Sequence, residues 1–185
     1  TCQNCSGWAR IFRSKARVLL SKAQVNCLVG AFADDDSGSS SGSVYVYDAN
    51  DLSAQPTKLT AFDGAGGERF GWSVSASDDK IVVGAYNGAN GYGASYVYDA
   101  NDLSAQPTKL TAFDGVVGHE FGYSVYASDD KILVNARYDD DNGSNSGAVY
   151  VFDADDLSAQ PTKLTDGVAS DMWGQAIAAM SPSSA

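Results

Sequence analysis

Histidine is almost missing from this sequence: His119 stands alone among 185 residues. No Gly-x-Ser-x-Gly elbow, no glycine-rich phosphate loop and no nucleophile–base pairing accompanies it, so the motifs that announce hydrolytic or phosphoryl chemistry are absent. Its neighbours in "VVGHEFG" fall where an earlier segment has "AGGERFG", which places it in a surface loop and predicts a non-enzymatic chain. Basic residues are also scarce, with 12 Lys and Arg against 23 Asp and Glu. Phosphate backbones are bound by clustered cations, so nucleic acid is excluded as a partner. The few bases are unevenly spread: residues 1–26 hold Arg10, Arg13, Lys15, Arg17 and Lys22 and no acid. The rest is strongly acidic, which suits solubility and cation binding. Long apolar runs are lacking too. The best candidate, "VLLSKAQVNCLVGAFA", is broken by Lys22, Gln24 and Asn26, short of the roughly 20 residues of a membrane span. Three cysteines carry little signal, and those at the head of the chain read as incidental or locally paired thiols. Cys2 and Cys5 have metal-like spacing but no second pair or His cluster to complete a zinc site. Cys27 falls in an apolar run and reads as a small buried hydrophobe. A chain opening on Thr1 reads as processed or as a piece of something longer.

What the sequence does have is repetition. "DLSAQPTKLT" occurs at Asp51–Thr60, Asp102–Thr111 and Asp156–Thr165, spaced by 51 and then 54 residues. Folding leaves surface residues free to vary, so identity at Gln55, Gln106 and Gln160 indicates duplication of a unit. One unit runs from Phe70 to Gly115 and contains four short β-type runs. Strands are expected near Ser73–Ala76, Lys80–Ala85 and Ser95–Asp99, with Thr57–Ala61 one period earlier giving the fourth. Turn signals separate them at Asp78–Asp79, Asn87–Gly93 and "DANDLSAQP". Nothing in the unit keeps helical periodicity over ten residues. Four antiparallel strands per unit predict propeller-type blades. The fold class is therefore all-β, with about three blades plus partial strands forming an incomplete ring.

Glycines support that reading. Gly71 and Gly122 follow Phe70 and Phe121, allowing a bend or close backbone approach while the aromatic fills the space between blades. Gly84–Ala85 marks a crowded strand end, and Asn135 replaces the glycine one unit later. "FGWSV…IVVGAY" and "FGYSV…ILVNAR" resemble FG-GAP repeats, the blades of the integrin alpha-subunit head and of many surface proteins. The resemblance covers roughly Gln24 to Gln175. It divides the chain into a basic segment, residues 1–23, leading into the first blade, and repeat blades over 24–185. "RVLLSKAQVNCLVGAF" aligns with "GWSVSASDDKIVVGAY", and Trp173–Gly174 stands where Phe-Gly begins a further blade. The segment "WARIFRSKARVLL" could form a short helix entering the first strand.

The variable segment between second and third strands carries the candidate chemistry. The first unit has Asp34, Asp35 and Asp36 in "ADDDSGSSSGS"; the third has Asp139, Asp140, Asp141 and Asn142 in "YDDDNGSNSGA". The middle unit has "NGANGYG", three residues shorter and without an acid. Calcium takes six to eight oxygen ligands from such groups, and the resemblance implies calcium in an inter-strand loop. The pattern of adjacent acids differs from the alternating Asp-x-Asp-x-Asp-Gly, so two of each three could face one ion. The alternative is a solvated acidic hairpin that keeps an edge soluble. The Asp48–Asp51, Asp99–Asp102 and Asp153–Asp156 turns are expected to be capped through the backbone, without metal.

By resemblance, the function expected is an extracellular, secreted or lumenal module, calcium-stabilised, that contacts protein or glycan. The alternative is a structural accessory subunit whose open blade edges are covered by a larger assembly.

Overall fold

The computed structural model describes residues 18–20 and 26–177. The basic head, with Cys2, Cys5 and the expected short helix, lies outside these residues apart from the strand at its end. Among the described residues, period-two alternation of β-branched and aromatic residues gives twelve strands in three four-stranded antiparallel sheets. The first holds β1 (Val18–Leu20), β2 (Asn26–Ala31), β3 (Ser43–Asp48) and β4 (Thr57–Leu59). The second holds β5 (Ser73–Ala76), β6 (Lys80–Ala85), β7 (Ala94–Asp99) and β8 (Thr108–Leu110). The third holds β9 (Phe121–Ala127), β10 (Lys131–Ala136), β11 (Ala148–Asp153) and β12 (Thr162–Leu164). In each, sequence order is spatial order, as a blade built from successive hairpins requires. The TKL strands end at the leucine, two residues earlier than expected. The helical turn at Gly88–Gly91 lies in the middle loop, and Ala89 and Asn90 there have φ of 51° and 60°, so it is no right-handed helix.

Neighbouring blades pack face to face, and the repeated Phe-Gly pair is where they meet. Phe70 is fully buried between the first two blades, among Leu28, Val44, Tyr96 and Tyr98. Phe121 repeats this against Val82, Val97, Tyr150 and Phe152. Their rings meet Tyr96 and Tyr150 edge-on at 5.4 and 5.3 Å. The glycine after each phenylalanine has φ of 85° or 89°, a conformation in which a Cβ is strained. Trp173–Gly174 repeats this geometry. Gly174 has φ of 79°, and Trp173 N–H donates to the Ser146 carbonyl at 2.8 Å as Phe70 N–H donates to Ser41 at 3.0 Å. The chain therefore enters a fourth blade motif.

Candidate functional site

Three lysines, one per repeat, organise the outer side of the blades. Each sits in a TKL strand directly across from a tyrosine: Lys58 opposite Tyr45, Lys109 opposite Tyr96, Lys163 opposite Tyr150. The ammonium lies 5.3, 5.4 and 5.3 Å from the three ring centroids. Each tyrosine hydroxyl donates to a carboxylate that the lysine also touches. Tyr45 bonds Asp34 at 3.0 Å, Tyr96 bonds Asp63 at 2.8 Å, and Tyr150 bonds Asp114 at 2.6 Å. Asp63 and Asp114 come from the "AFDG" turn of the preceding blade, so this triad also ties blades together.

The acidic loops join the same triads. Asp34 accepts from Lys58 at 3.1 Å, and Asp36 is paired with the same ammonium. In the third blade Lys163 reaches Asp114 at 2.8 Å, Asp139 at 2.9 Å and Asp141 at 2.6 Å. The middle acid of each triplet turns elsewhere: Asp35 accepts Ser40 N–H and Asp140 accepts Asn145 N–H, both at 2.7 Å. So two of each three acids do face one cation, and that cation is a lysine. Asn142 is spent on the Thr165 carbonyl through its amide nitrogen. With the lysine in place the donor set does not fit calcium, because an ammonium within about 3 Å of the shared carboxylates repels a second cation. Among the described residues, no group of three or more His, Cys, Asp or Glu is arranged to hold a metal ion.

Electrostatics follow from these contacts. Burial alone would raise the Asp34 carboxyl, but hydrogen bonds from Ser43, Lys58 and Tyr45 outweigh it and hold it well below the usual range. Asp63 and Asp114 are also lowered; burial opposes the shift, while Lys109 with Tyr96 and Lys163 with Tyr150 drive it. Lys163 loses by desolvation and gains more from Asp114, Asp139 and Asp141, so it stays charged.

A second constellation lies at the loop end of the second strands. Residues following β2, β6 and β10 meet residues preceding β5 and at the start of β9, and they are aromatic or arginine. Phe32 lies 4.9 Å from Trp72, Trp72 lies 4.9 Å from Tyr86, and Trp72 and Tyr86 lie 5.5 and 5.6 Å from Tyr123. Arg137 continues the ladder, its guanidinium 3.9 Å from the Tyr123 centroid and 4.2 Å from that of Tyr138. Its Nε is 2.7 Å from Glu120 Oε2. Arg69 donates to the Tyr86 hydroxyl at 2.5 Å. Arg69 and Glu120, equivalent in the repeat, both hold φ near 60° (60° and 56°). Strain of this kind persists only where the surroundings over-determine it. Every member of the ladder is half-buried.

Sequence reasoning reached the acids but missed the lysines, the tyrosines and the ladder. The lysine signal was present, since it recurs inside the identical decapeptide. His119 stands in the expected loop, between β8 and β9, but its side chain is turned inward. Its side chain is only 12% exposed and packs against the acidic loop, Nδ1 3.6 Å from Asp139 and Nε2 3.9 Å from Asp140. The Tyr138 N–H donates to its carbonyl, which draws the loop over it. The Asp-rich turns are backbone-capped as expected: Asp48, Asp99 and Asp153 each accept the N–H two residues on.

Compared with known families, the chain matches the model of the FG-GAP repeat twice, over residues 54–98 and 105–152, half of its length. No curated protein matches it.

Proposed function

This chain belongs to the FG-GAP repeat family, and from that premise we propose that it is a non-enzymatic binding module contacting protein or glycan through the aromatic–arginine ladder. The observation that supports this is the run Phe32–Trp72–Tyr86–Tyr123–Arg137–Tyr138, half-exposed and crossing all three blades. Rigid aromatic faces with an apolar body and polar tips suit protein hot spots and the apolar faces of sugar rings alike. The module acts outside the cell or in an organelle lumen. Among the described residues no helix is long and apolar enough to cross a membrane.

The test is binding to an arrayed panel of immobilised glycans and to surface proteins of the same source, with native chain and Trp72→Ala and Tyr123→Ala variants. A ligand held by the native chain should lose at least about tenfold in affinity in both variants, as hot-spot truncations do. Binding undiminished in both would remove the ladder from this role.

A second reading, an accessory subunit docked in a larger assembly, has its own support. Leu59 and Leu110 are 4% and 3% exposed beneath the following blade, whereas the equivalent Leu164 is 41% exposed. Val168 and Phe113 are also open. Light scattering on the eluting chain separates the two: a monomer that binds the panel supports the module, a fixed higher-mass species the subunit.

A further inference from the structure

The Lys163 ammonium has three N–H donors and three carboxylate acceptors around it, at 2.6 to 2.9 Å. We propose that Lys163, and Lys58 in the first blade, are the resident cations of the acidic loops, standing in place of a divalent metal, and that removing the ammonium opens a calcium site.

Four observations converge on this. The side chain of Lys163 is 10% exposed and that of Asp139 is 1% exposed, so this pair is built into the blade and is not a surface encounter. The loops have the same internal wiring. Asp36 N–H donates to Asp34 Oδ1 at 3.3 Å, and Asp141 N–H to Asp139 Oδ1 at 3.1 Å. The first and third acids are thereby oriented toward one point, and the lysine head occupies it. The middle blade supplies the internal control: its loop has no acid, and Lys109 is left with Asp63 alone at 2.6 Å. Finally, Lys163 neutralises only one of three carboxylates. An ammonium saturates the hydrogen bonding but not the charge, so once it is removed a divalent ion meets oxygens from Asp114, Asp139 and Asp141 already converged. His119 Nδ1 lies 3.6 Å from Asp139, beside this point.

A cation carried by the chain makes the blade independent of dissolved metal, which a calcium loop is not. The experiment is a thermal melt of the full chain in chelator and in about 10 mM calcium, a concentration that fills sites in the 10⁻⁴–10⁻³ M range. The native chain should melt at the same temperature in both. Lys163→Met should melt lower in chelator and recover part of the loss in calcium, while Lys109→Met, without an acidic loop, should recover none. Should Lys163→Met fail to fold, Lys58→Met serves, with terbium luminescence excited through Tyr45 as the readout. A calcium-dependent rise in the native chain that vanishes in the Asp139→Asn, Asp141→Asn variant overturns the proposal. So does a folded Lys163→Met or Lys58→Met variant that gains neither a calcium response nor terbium luminescence.

Discussion

The carbonyl oxygen of Gly122 fills the space that a Cβ on Gly84 would need. The same contact joins Gly71 to Gly30 one blade earlier. Each blade thus presses the backbone after its Phe-Gly phenylalanine into a notch on the blade before it, and Ser73 Oγ fixes the contact by donating to the Gly122 carbonyl at 2.9 Å. Gly84→Ala should therefore destabilise by overpacking, about 1–3 kcal/mol, since the new Cβ meets both the Gly122 carbonyl and the Ser73 hydroxyl that holds it. A matched change at exposed Gly118, with nothing within 4 Å but φ of 91°, should cost only its backbone strain, about 1 kcal/mol. Urea unfolding midpoints of the two variants check the order.

The third notch is filled differently. Asn135 takes the glycine's place, and its amide donates to the Trp173 carbonyl at 2.8 Å and the Ala148 carbonyl at 3.0 Å. The next segment is held there by a side chain in place of a backbone contact. Asn135→Ala should leave both carbonyls unpaired and loosen residues 166–177 selectively. Hydrogen exchange should show faster exchange at Trp173 N–H with Phe70 N–H unchanged; equal protection would contradict the assignment.

Blade count, strand positions and the inter-blade role of Phe70 and Phe121 were legible in sequence because they rest on a period of two and on residue types with few conformational uses. The decapeptide identity was legible as duplication, and the structure explains most of it. Asp51, Asp102 and Asp156 cap their turns by accepting the serine N–H at 3.1 Å. The lysine joins the acids and Leu59 and Leu110 enter the core. Nothing in the structure explains the exposed glutamines. The triads were illegible because they couple Asp114 to Lys163 across 49 residues, a pairing set by blade stacking and not by any local pattern. The ladder was illegible for the same reason. Each blade contributes one or two rings, and only the assembly makes a surface.

Acid should act on this protein in two opposite phases. Burial raises the carboxyls of Glu68 and Glu120, with the Arg137 charge only partly offsetting it for Glu120. A raised native value means the folded state holds the proton more tightly, so stability increases as pH falls from neutral toward the unfolded value of about 4.5. Asp34, Asp63 and Asp114 are lowered, and their contribution is full above the unfolded value of about 3.8 and is lost below it. Urea midpoints against pH should show a maximum on the acid side of neutrality and a steep fall below about pH 4. Glu68→Gln should flatten the rise and leave the fall; an unchanged rise would mean that Glu68 does not carry it.

The tyrosine hydroxyls of the triads offer a graded series. All three donate to carboxylates, but the carboxylates differ in what replaces the lost bond. Tyr45 is half-buried, and water can reach the Asp34 oxygen it leaves. Tyr96 is fully buried, yet its acceptor Asp63 is open to solvent and can rehydrate. Tyr150 is fully buried and donates both to Asp114 and, at 3.2 Å, to Asp139, which is itself buried and has no route to water. An unmade hydrogen bond on a buried charged group costs more than a net exchange with water, about 1.5–3 kcal/mol against about 0.5–1.5. Tyr150→Phe should therefore lower stability most, Tyr96→Phe less and Tyr45→Phe least, because each removes one oxygen and keeps the ring. Thermal melts at neutral pH give the ranking. Equal losses for Tyr150→Phe and Tyr96→Phe would mean that Asp139 finds its partner in Lys163 alone, and that the hydroxyl adds nothing to the third triad.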